Sequence, residues 1–136
     1  GVIYDLSREN LYTGIVGKGS FLNSNQIFTS SNNKISESII ATGFPVYSSF
    51  ETDNLSSFIN KIQKFKKIRL FGSAALSLAM LSEGAIDVYE ENKIALWDVA
   101  AGLAIAKASG AKIIFKKINN NYLYDVKASN GKLNFK

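Results

Sequence analysis

The sequence contains no cysteine and no histidine in its 136 residues. The lack of cysteine excludes a disulfide framework and any metal site built from thiolates. The lack of histidine removes the commonest general base and the commonest zinc ligand. Any catalysis by this chain must therefore depend on carboxylates, hydroxyls, lysines or bound cations.

The sequence also lacks the run of about 18 apolar residues that a membrane-spanning helix needs. Residues 1–5 have neither the basic region nor the long apolar region of a signal peptide. We therefore expect a cytoplasmic protein without a membrane partner. Because no initiator methionine precedes this strand-like start, we also expect the chain to begin inside a larger protein.

Positive charge exceeds negative charge, and the net charge is +5. A basic balance is compatible with nucleic acid or with an anionic substrate. A solvated surface is the commoner explanation, and the lysines are not interleaved with the aromatic and glycine pattern of an RNA-binding sheet. We therefore do not expect nucleic acid as a partner. Much of the excess lies in two groups, Lys61, Lys64, Lys66 and Lys67, and Lys112, Lys116 and Lys117.

Residues 1–45 have the pattern of β-strands and a connecting loop. Segments 2–4 and 11–16 are β-rich and predict a hairpin, which is marginal alone and needs a sheet to join. A polar loop with short strands follows, and residues 38–42 predict a buried strand. We assign residues 1–45 to antiparallel strands of a truncated N-terminal sheet and its connecting loop.

Residues 46–136 alternate between helical and strand patterns and form the second predicted unit, an α/β subdomain. This alternation predicts an α/β fold, with helices layered on a largely parallel sheet. The predicted order is a helix capped by Thr52 or Asp53, strand 68–71, a helix from Gly72-Ser73 to about Glu83, strand 85–89, a helix from near Asp98 to Gly110, and strand 111–115.

The segment Gly72-Ser73-Ala74-Ala75 follows a predicted strand and opens a helix. The free N–H groups and the dipole of a helix start attract anions, and glycine lets a ligand approach the backbone closely. An ordinary serine N-cap, followed by small residues for close packing, explains the same pattern.

Two acidic positions form the second candidate site. Asp98 lies where a helix should begin, so it is either an N-cap or a carboxylate that binds a hard cation. Glu91 lies near the end of the preceding strand, where open α/β sheets place ligands; its alternative is a solvated surface acid. Taken singly, each position is explained by a structural role.

Together, these positions indicate a function more specifically than any one of them does alone. Residues 68–110 closely resemble the C-terminal signature of the inositol monophosphatase family. That signature has Arg, two residues, Gly-Ser/Thr-Ala-Ala, a Gly-x-x-Asp strand, and a Glu seven residues before the Asp of Trp-Asp-x-Ala-Ala-Gly. Residues 1–23, 41–45 and 128–133 also have counterparts in the family. The matching positions are Arg69, Gly72, Ser73, Ala74, Ala75, Gly84, Asp87, Glu91, Trp97, Asp98, Ala100, Ala101 and Gly102.

The resemblance implies an enzyme that hydrolyses phosphate monoesters of inositol, sugars or nucleotide-like diols, using Mg²⁺ and inhibited by Li⁺. It implies that Asp98 binds a catalytic metal ion and that Glu91 contacts substrate hydroxyls. Gly72, Ser73 and Ala74 would line the substrate pocket. The implied partners are a small phosphate ester and the missing N-terminal half of the same protein; a homodimer stays open.

The family's other metal-binding carboxylates belong to a Glu-Glu segment and an Asp-Pro-x-Asp-Gly-Thr segment, and neither segment occurs in this sequence. One carboxylate holds Mg²⁺ poorly. We therefore expect this chain to be inactive alone, as a fragment of a phosphatase. The alternative is a non-catalytic relative that uses the fold for binding or regulation, for instance in RNA-associated machinery.

Overall fold

A computed structural model of the protein describes residues 1–43, 51–118 and 122–134. The described residues form two sheets and three α-helices. In chain order the elements are β1 (Val2–Asp5), β2 (Asn10–Ile15), β3 (Gly19–Leu22), β4 (Asn25–Ile27), β5 (Ile39–Thr42), α1 (Thr52–Ile62), β6 (Lys67–Arg69), α2 (Ala74–Ser82), β7 (Val88–Ala95), α3 (Leu96–Ala108), β8 (Lys112–Lys117) and β9 (Leu123–Ser129).

The first sheet is antiparallel, with strand order β1-β2-β3-β4. The predicted hairpin is present, with Val2 opposite Thr13 and Tyr4 opposite Leu11. Gly17, with a φ of 83°, forms the turn that returns the chain to β3. The sheet that the hairpin needs is thus supplied downstream, by β3 and β4.

The second sheet has five strands in the order β6-β5-β7-β9-β8. Strand β5 pairs in parallel with β6 and β7, whereas β9 pairs antiparallel with both β7 and β8. The prediction of a largely parallel sheet is therefore wrong, because no strand was predicted at β9. The connection from β8 to β9 is only a few residues long, which permits an antiparallel return and no crossover.

Several predicted boundaries also need correction. Glu51 occupies the cap position of α1, in place of the predicted Thr52 or Asp53. Strand β7 starts at Val88 and continues to Ala95, well beyond the predicted end. Strand β5 belongs to the five-stranded sheet, although it lies in residues 1–45, the first of the two predicted units. The division of the chain at residue 45 stays a prediction.

Helices α2 and α3 lie between the two sheets. Their sequences are mostly apolar, with Asp98 and Lys107 as the charged residues of α3, which is typical of helices buried over much of their surface. Leu78 and Val99 pack towards the five-stranded sheet, and Ala79 and Ile105 pack against Tyr12 of the four-stranded sheet. A Cβ at Gly102 would lie 2.6 Å from the Cβ of Leu78, so the two helices approach closely at this glycine. In the part of the chain that the structure describes, no helix is long and apolar enough to cross a membrane.

A buried polar network fixes the loop before β5 against the rest of the fold. The carboxylate of Asp87 accepts hydrogen bonds from the Ser30 hydroxyl and, at 2.7 Å, from the Ile39 backbone N–H. The Asn130 amide donates to the Ser30 hydroxyl at 2.8 Å and to the Asn32 carbonyl at 2.7 Å. The Gly-x-x-Asp position of the signature therefore has a structural role here.

A second polar contact joins the four-stranded sheet to the end of α2. The buried Tyr12 hydroxyl donates to Glu83 Oε2 at 3.2 Å. Burial, together with the negative charge of Glu83, raises the pKa of Tyr12 to about 12. Burial also raises the pKa of Glu83, an effect that the hydrogen bond from Tyr12 opposes.

We predict that Tyr12→Phe lowers the free energy of unfolding by about 1 kcal/mol at neutral pH, because a buried hydrogen bond is lost. The folded protein keeps the Tyr12 proton at pH values where the unfolded chain ionises. The wild-type protein should therefore lose stability as the pH rises from 10.0 to about 12. Urea unfolding at several pH values should show a smaller alkaline loss in the variant.

The exposed Tyr4 provides the control for this measurement. Tyr4→Phe should keep the alkaline loss of the wild-type protein. An equal reduction in both variants would contradict the assignment to Tyr12.

Candidate functional site

A cavity of about 440 Å³ opens at the edge of the five-stranded sheet where the parallel strands β5, β6 and β7 point their carboxyl ends. Open α/β sheets bind ligands at this edge. The cavity brings together every predicted site residue. Its lining includes Gly72, Ser73, Ala74, Glu91 and Asp98, with Gly43 from the end of β5.

The start of α2 forms one wall of the cavity. Gly72 has a φ of 70°, and a Cβ there would meet no atom within 4 Å, so the space above it is open. Ser73 is the N-cap, and its Oγ accepts a hydrogen bond from the Leu76 N–H at 3.3 Å. Ser73 therefore has the structural role that the sequence left open. The first N–H groups of α2 lack partners within the helix and remain suited to an anion.

The start of α3 forms the opposite wall. Asp98 is the third residue of α3 and is exposed, whereas Ala95 occupies the cap position. The alternative in which Asp98 serves as the N-cap is therefore wrong. The reason is that the helix begins at Leu96, directly after the extended residue that ends β7. A carboxylate in the first turn still interacts favourably with the helix dipole. Because Asp98 does not cap the helix, capping does not use its carboxylate oxygens.

Glu91 lies on β7, one residue beyond the last parallel pair, Thr42 with Glu90. The pairing of β7 with β9 is interrupted by a bulge just after Glu91. Bulges near functional sites redirect side chains. The Tyr89 hydroxyl, which is buried, donates to Glu91 Oε2 at 3.0 Å. The Glu91 carboxylate is thus held in place at the cavity wall.

The backbone of Gly43 leaves room for this carboxylate. A Cβ at Gly43 would lie 2.6 Å from Glu91 Oε2 and 2.7 Å from Oε1. Only a residue without a side chain allows such an approach without displacement. Phe44 and Pro45, which belong to the segment 41–45 with counterparts in the family, lie outside the described residues.

The electrostatics of the cavity favour a cation beside the two acids. Burial raises the pKa of Glu91, the charge of Asp98 raises it further, and the Tyr89 hydrogen bond opposes both effects. A cation placed near both carboxylates would relieve their repulsion and favour their charged forms. The helix start across the cavity attracts an anion. This arrangement suits a ligand in which a cation and an anion are paired.

The neighbouring acid, Glu90, lies on the other face of the sheet. Its Oε1 is 2.6 Å from Lys61 Nζ, and it does not line the cavity. Consecutive residues of a strand point to opposite faces, so Glu91 lies on the face opposite to Glu90 and shares its face with Tyr89.

Sequence reasoning assigned no role to three residues of the site. Tyr89 lies two positions before Glu91, and this same-face spacing on a strand is the signal that could have indicated it. Gly43 was seen only as part of a segment with family counterparts. Trp97, a signature residue, lines the cavity with 72% of its surface exposed. An exposed tryptophan beside a cavity is a candidate ligand contact.

The sequence pattern of the inositol monophosphatase family matches residues 1–129. The chain belongs to this family. The resemblance of the signature is therefore confirmed, and the two-sheet α/β architecture agrees with the structures of family members.

Proteins similar to this inositol monophosphatase family member carry two kinds of name, Nus factor and inositol monophosphatase. "Nus factor SuhB" of Haemophilus influenzae is 35% identical over 124 residues, which are 90% of this chain and 46% of that protein. "Inositol-1-monophosphatase" of Mesorhizobium japonicum is 32% identical over 111 residues, covering 81% of this chain and 42% of the relative.

The solved structure of inositol monophosphatase from Anabaena (Nostoc) has a TM-score of 0.86 and 31% sequence identity. The superposition covers 98% of this chain and 56% of that structure. The chain thus spans about half the length of the family members it matches.

The described residues do not form a complete metal site. They contain no group of three or more Asp, Glu, His or Cys side chains that could hold a metal ion. Residues 44–50, 119–121 and 135–136 contain none of these residue types. Asp98 fits one position in a Mg²⁺ site, because its exposed carboxylate lines the cavity and supplies the oxygen that this ion prefers.

Gly43→Ala tests the contact between the backbone and the Glu91 carboxylate. The added methyl group should displace this carboxylate and lower the free energy of unfolding by about 1 kcal/mol, because the side chain can rotate away but loses its hydrogen bond from Tyr89. In a Glu91→Ala background the same change should be nearly neutral, because the colliding atoms are gone. Urea unfolding of the four proteins of this double-mutant cycle measures the difference. An equal cost in both backgrounds would show that Gly43 is needed for another reason.

Proposed function

We propose that this chain is part of a Mg²⁺-dependent phosphomonoesterase that hydrolyses inositol phosphate or a related sugar or polyol phosphate. The observation that carries the proposal is the shared cavity, where Glu91, Asp98 and the start of α2 meet. Membership of the inositol monophosphatase family supports the reaction class. Location in the cytoplasm and inhibition by Li⁺ belong to the same proposal.

Each residue has a distinct proposed role. Asp98 would supply one carboxylate to the metal site, and bound Mg²⁺ would neutralise phosphate charge and activate water. Glu91, held by Tyr89, would accept hydrogen bonds from hydroxyl groups of the polyol. Gly72, Ser73 and Ala74 would line the substrate pocket, with the free N–H groups of α2 directed at anionic oxygens.

The remaining metal ligands would come from the N-terminal half of the same protein. This follows from the single metal-binding carboxylate proposed here and from the 46% of the relative's length that the chain covers. A homodimer of the complete protein stays a prediction.

A second candidate function is a binding or regulatory role without catalysis. The observation that favours it is the name "Nus factor SuhB" of two relatives, 35% and 30% identical. The upstream sequence distinguishes the two candidates, because a catalytic member needs the acidic metal motifs. Their presence supports the phosphatase, and their loss supports the non-catalytic role.

The isolated 136-residue chain should show no Mg²⁺-dependent turnover, because it lacks most of the carboxylates that a metal site needs. A phosphate-release assay with inositol phosphate at saturating Mg²⁺ checks this expectation. Robust turnover by the purified chain would overturn the proposed division of the site between two halves.

In the complete protein, Asp98→Asn should fold but lose catalysis. Removal of a first-turn charge should change stability by only about 0.3–1 kcal/mol, whereas the metal loses an anionic oxygen ligand. Asp53→Asn is the matched control, because Asp53 also lies in the first turn of a helix but does not line the cavity. Near-normal turnover of the Asp98 variant at saturating Mg²⁺ would show that Asp98 has no metal-binding role.

Glu91→Gln should separate substrate recognition from chemistry. Charge-assisted hydrogen bonds to hydroxyls contribute about 1–3 kcal/mol, so kcat/KM for polyol phosphates should fall by about tenfold to a hundredfold. Hydrolysis of p-nitrophenyl phosphate should change much less, because its leaving group has no hydroxyl to bind. If hydrolysis of both substrates falls equally, Glu91 acts on the metal ion or on the attacking water and not on substrate hydroxyls.

Glu90→Gln is the internal control for Glu91→Gln. Its side chain lies on the opposite face and contacts Lys61, so activity towards either substrate should change little. A larger effect from Glu90 than from Glu91 would mean that the two residues are assigned to the wrong faces.

A further inference from the structure

A second cleft, of about 470 Å³, lies on the face of the five-stranded sheet opposite the candidate active site. We call it the outer cleft. Its lining includes Lys61 and Lys64 from α1, Lys127 from β9 and Glu90 from β7. The proposed hydrolysis uses none of these residues.

Two elements bring these side chains together. Lys61, Lys64 and Ser57 are spaced at four and three residues on and next to α1, which places them on one face of the helix. Glu90 and Lys127 are direct partners across β7 and β9, so they point to the same side of the sheet. The outer cleft therefore joins two members of the first lysine group, Lys61 and Lys64, with a lysine of the sheet.

Three of the four charged side chains in the outer cleft are partly removed from water, whereas Lys64 is exposed. The side chains of Glu90 and Lys127 are 12% and 21% exposed, and that of Lys61 is 36% exposed. Charges in such surroundings interact more strongly than charges on an open surface. A charge imbalance in the cleft therefore has a larger effect than the same imbalance on a solvated face.

The imbalance is positive. Lys61 Nζ lies 2.6 Å from Glu90 Oε1, and Lys127 Nζ lies 3.6 Å from Glu90 Oε2. Among the described residues that line the cleft, this one carboxylate faces three ammonium groups. The excess of positive charge attracts an anionic group.

The positive surface continues beyond the cleft. Lys127 lies opposite Ile114 of β8, so alternation along β8 places Lys112 and Lys116 on the same side of the sheet. Both lysines are exposed. Asp125 lies directly opposite Lys116 and points to the same side, so it offsets the charge of Lys116. Lys112 is thus the member of the second lysine group that adds positive charge to this face and steers anions towards it.

We propose that the outer cleft binds the phosphoryl group of a small anionic ligand, at a site separate from the candidate active site. Lysines are compact charges on flexible stems and bind phosphate well. Asn60 and Ser57, which also line the cleft, supply an amide and a hydroxyl as neutral hydrogen-bond donors. The volume is in the usual range for small-molecule sites, about 300–1,000 Å³.

The test is isothermal titration calorimetry of the complete protein with inorganic pyrophosphate. EDTA in the buffer removes metal-assisted binding at the candidate active site. The variant Lys61→Gln/Lys64→Gln should bind about tenfold more weakly, which corresponds to a few-fold loss per lysine. Glu90→Gln should bind several-fold more tightly, because the competing carboxylate is gone.

The matched control is Lys66→Gln/Lys67→Gln, which changes the net charge equally at exposed positions outside the cleft lining. This control should retain wild-type affinity. Because Lys61→Gln also breaks the ion pair with Glu90, Lys64→Gln alone provides a second variant, with thermal unfolding to check the fold. It should weaken binding about threefold to fivefold.

Four outcomes would overturn the proposal. Absence of pyrophosphate binding excludes the site, and an equal loss in both double variants would show an effect of net charge alone. Loss of binding in Asp98→Asn would place the anion in the candidate active site. Tighter binding of a single-stranded RNA oligonucleotide, with the same dependence on Lys61 and Lys64, would identify a nucleic-acid surface instead of a small-ligand site.

Discussion

The buried carboxylate of Asp87 determines how the strands that carry the site are placed. It accepts a hydrogen bond from the backbone at the start of β5, and the Asp87 carbonyl accepts one from Asn130 at 2.9 Å. The parallel register of β5 and β7 begins directly after these contacts, with Ile40 opposite Val88. Three residues further along each strand, Gly43 and Glu91 meet at the cavity. Because an unsatisfied buried acceptor costs about 1–3 kcal/mol, loss of this contact would loosen the register on which the site depends.

The close approach of α2 and α3 sets the width of the cavity. Gly102 lets the Leu78 side chain reach the α3 backbone, so the two helices pack along each other between the sheets. Their N-termini then lie at the same sheet edge, one carrying Ser73 and the other Asp98. A bulky residue at Gly102 would push apart the wall suited to an anion and the wall suited to a cation. Small residues in the helices thus serve the site through packing, without touching a ligand.

Much of the site could be predicted from the sequence, because its residues lie at the ends of strands and the starts of helices. The glycine and serine before α2 and the spacing of Glu91 and Asp98 are local patterns, and the structure brings all of them to one cavity. The antiparallel strand β9 could not be predicted in the same way, because its pattern is weak and its pairing with β7 is a long-range contact. The alternative in which Asp98 caps α3 was wrong because β7 extends to Ala95 through an irregular pairing that local propensity does not encode. The Tyr89 and Gly43 contacts also depend on tertiary placement.

The position of Trp97 has a practical consequence for spectroscopy. It is the single tryptophan of the chain, and it lines the cavity with most of its indole exposed to solvent. Its ring centroid lies 6.4 Å from that of Tyr122, on the segment that leads into β9. The fluorescence of this chain is therefore dominated by one fluorophore at the mouth of the candidate site. Emission wavelength and quenching of this indole report directly on solvent and solutes at that mouth, without background from a second tryptophan in the chain.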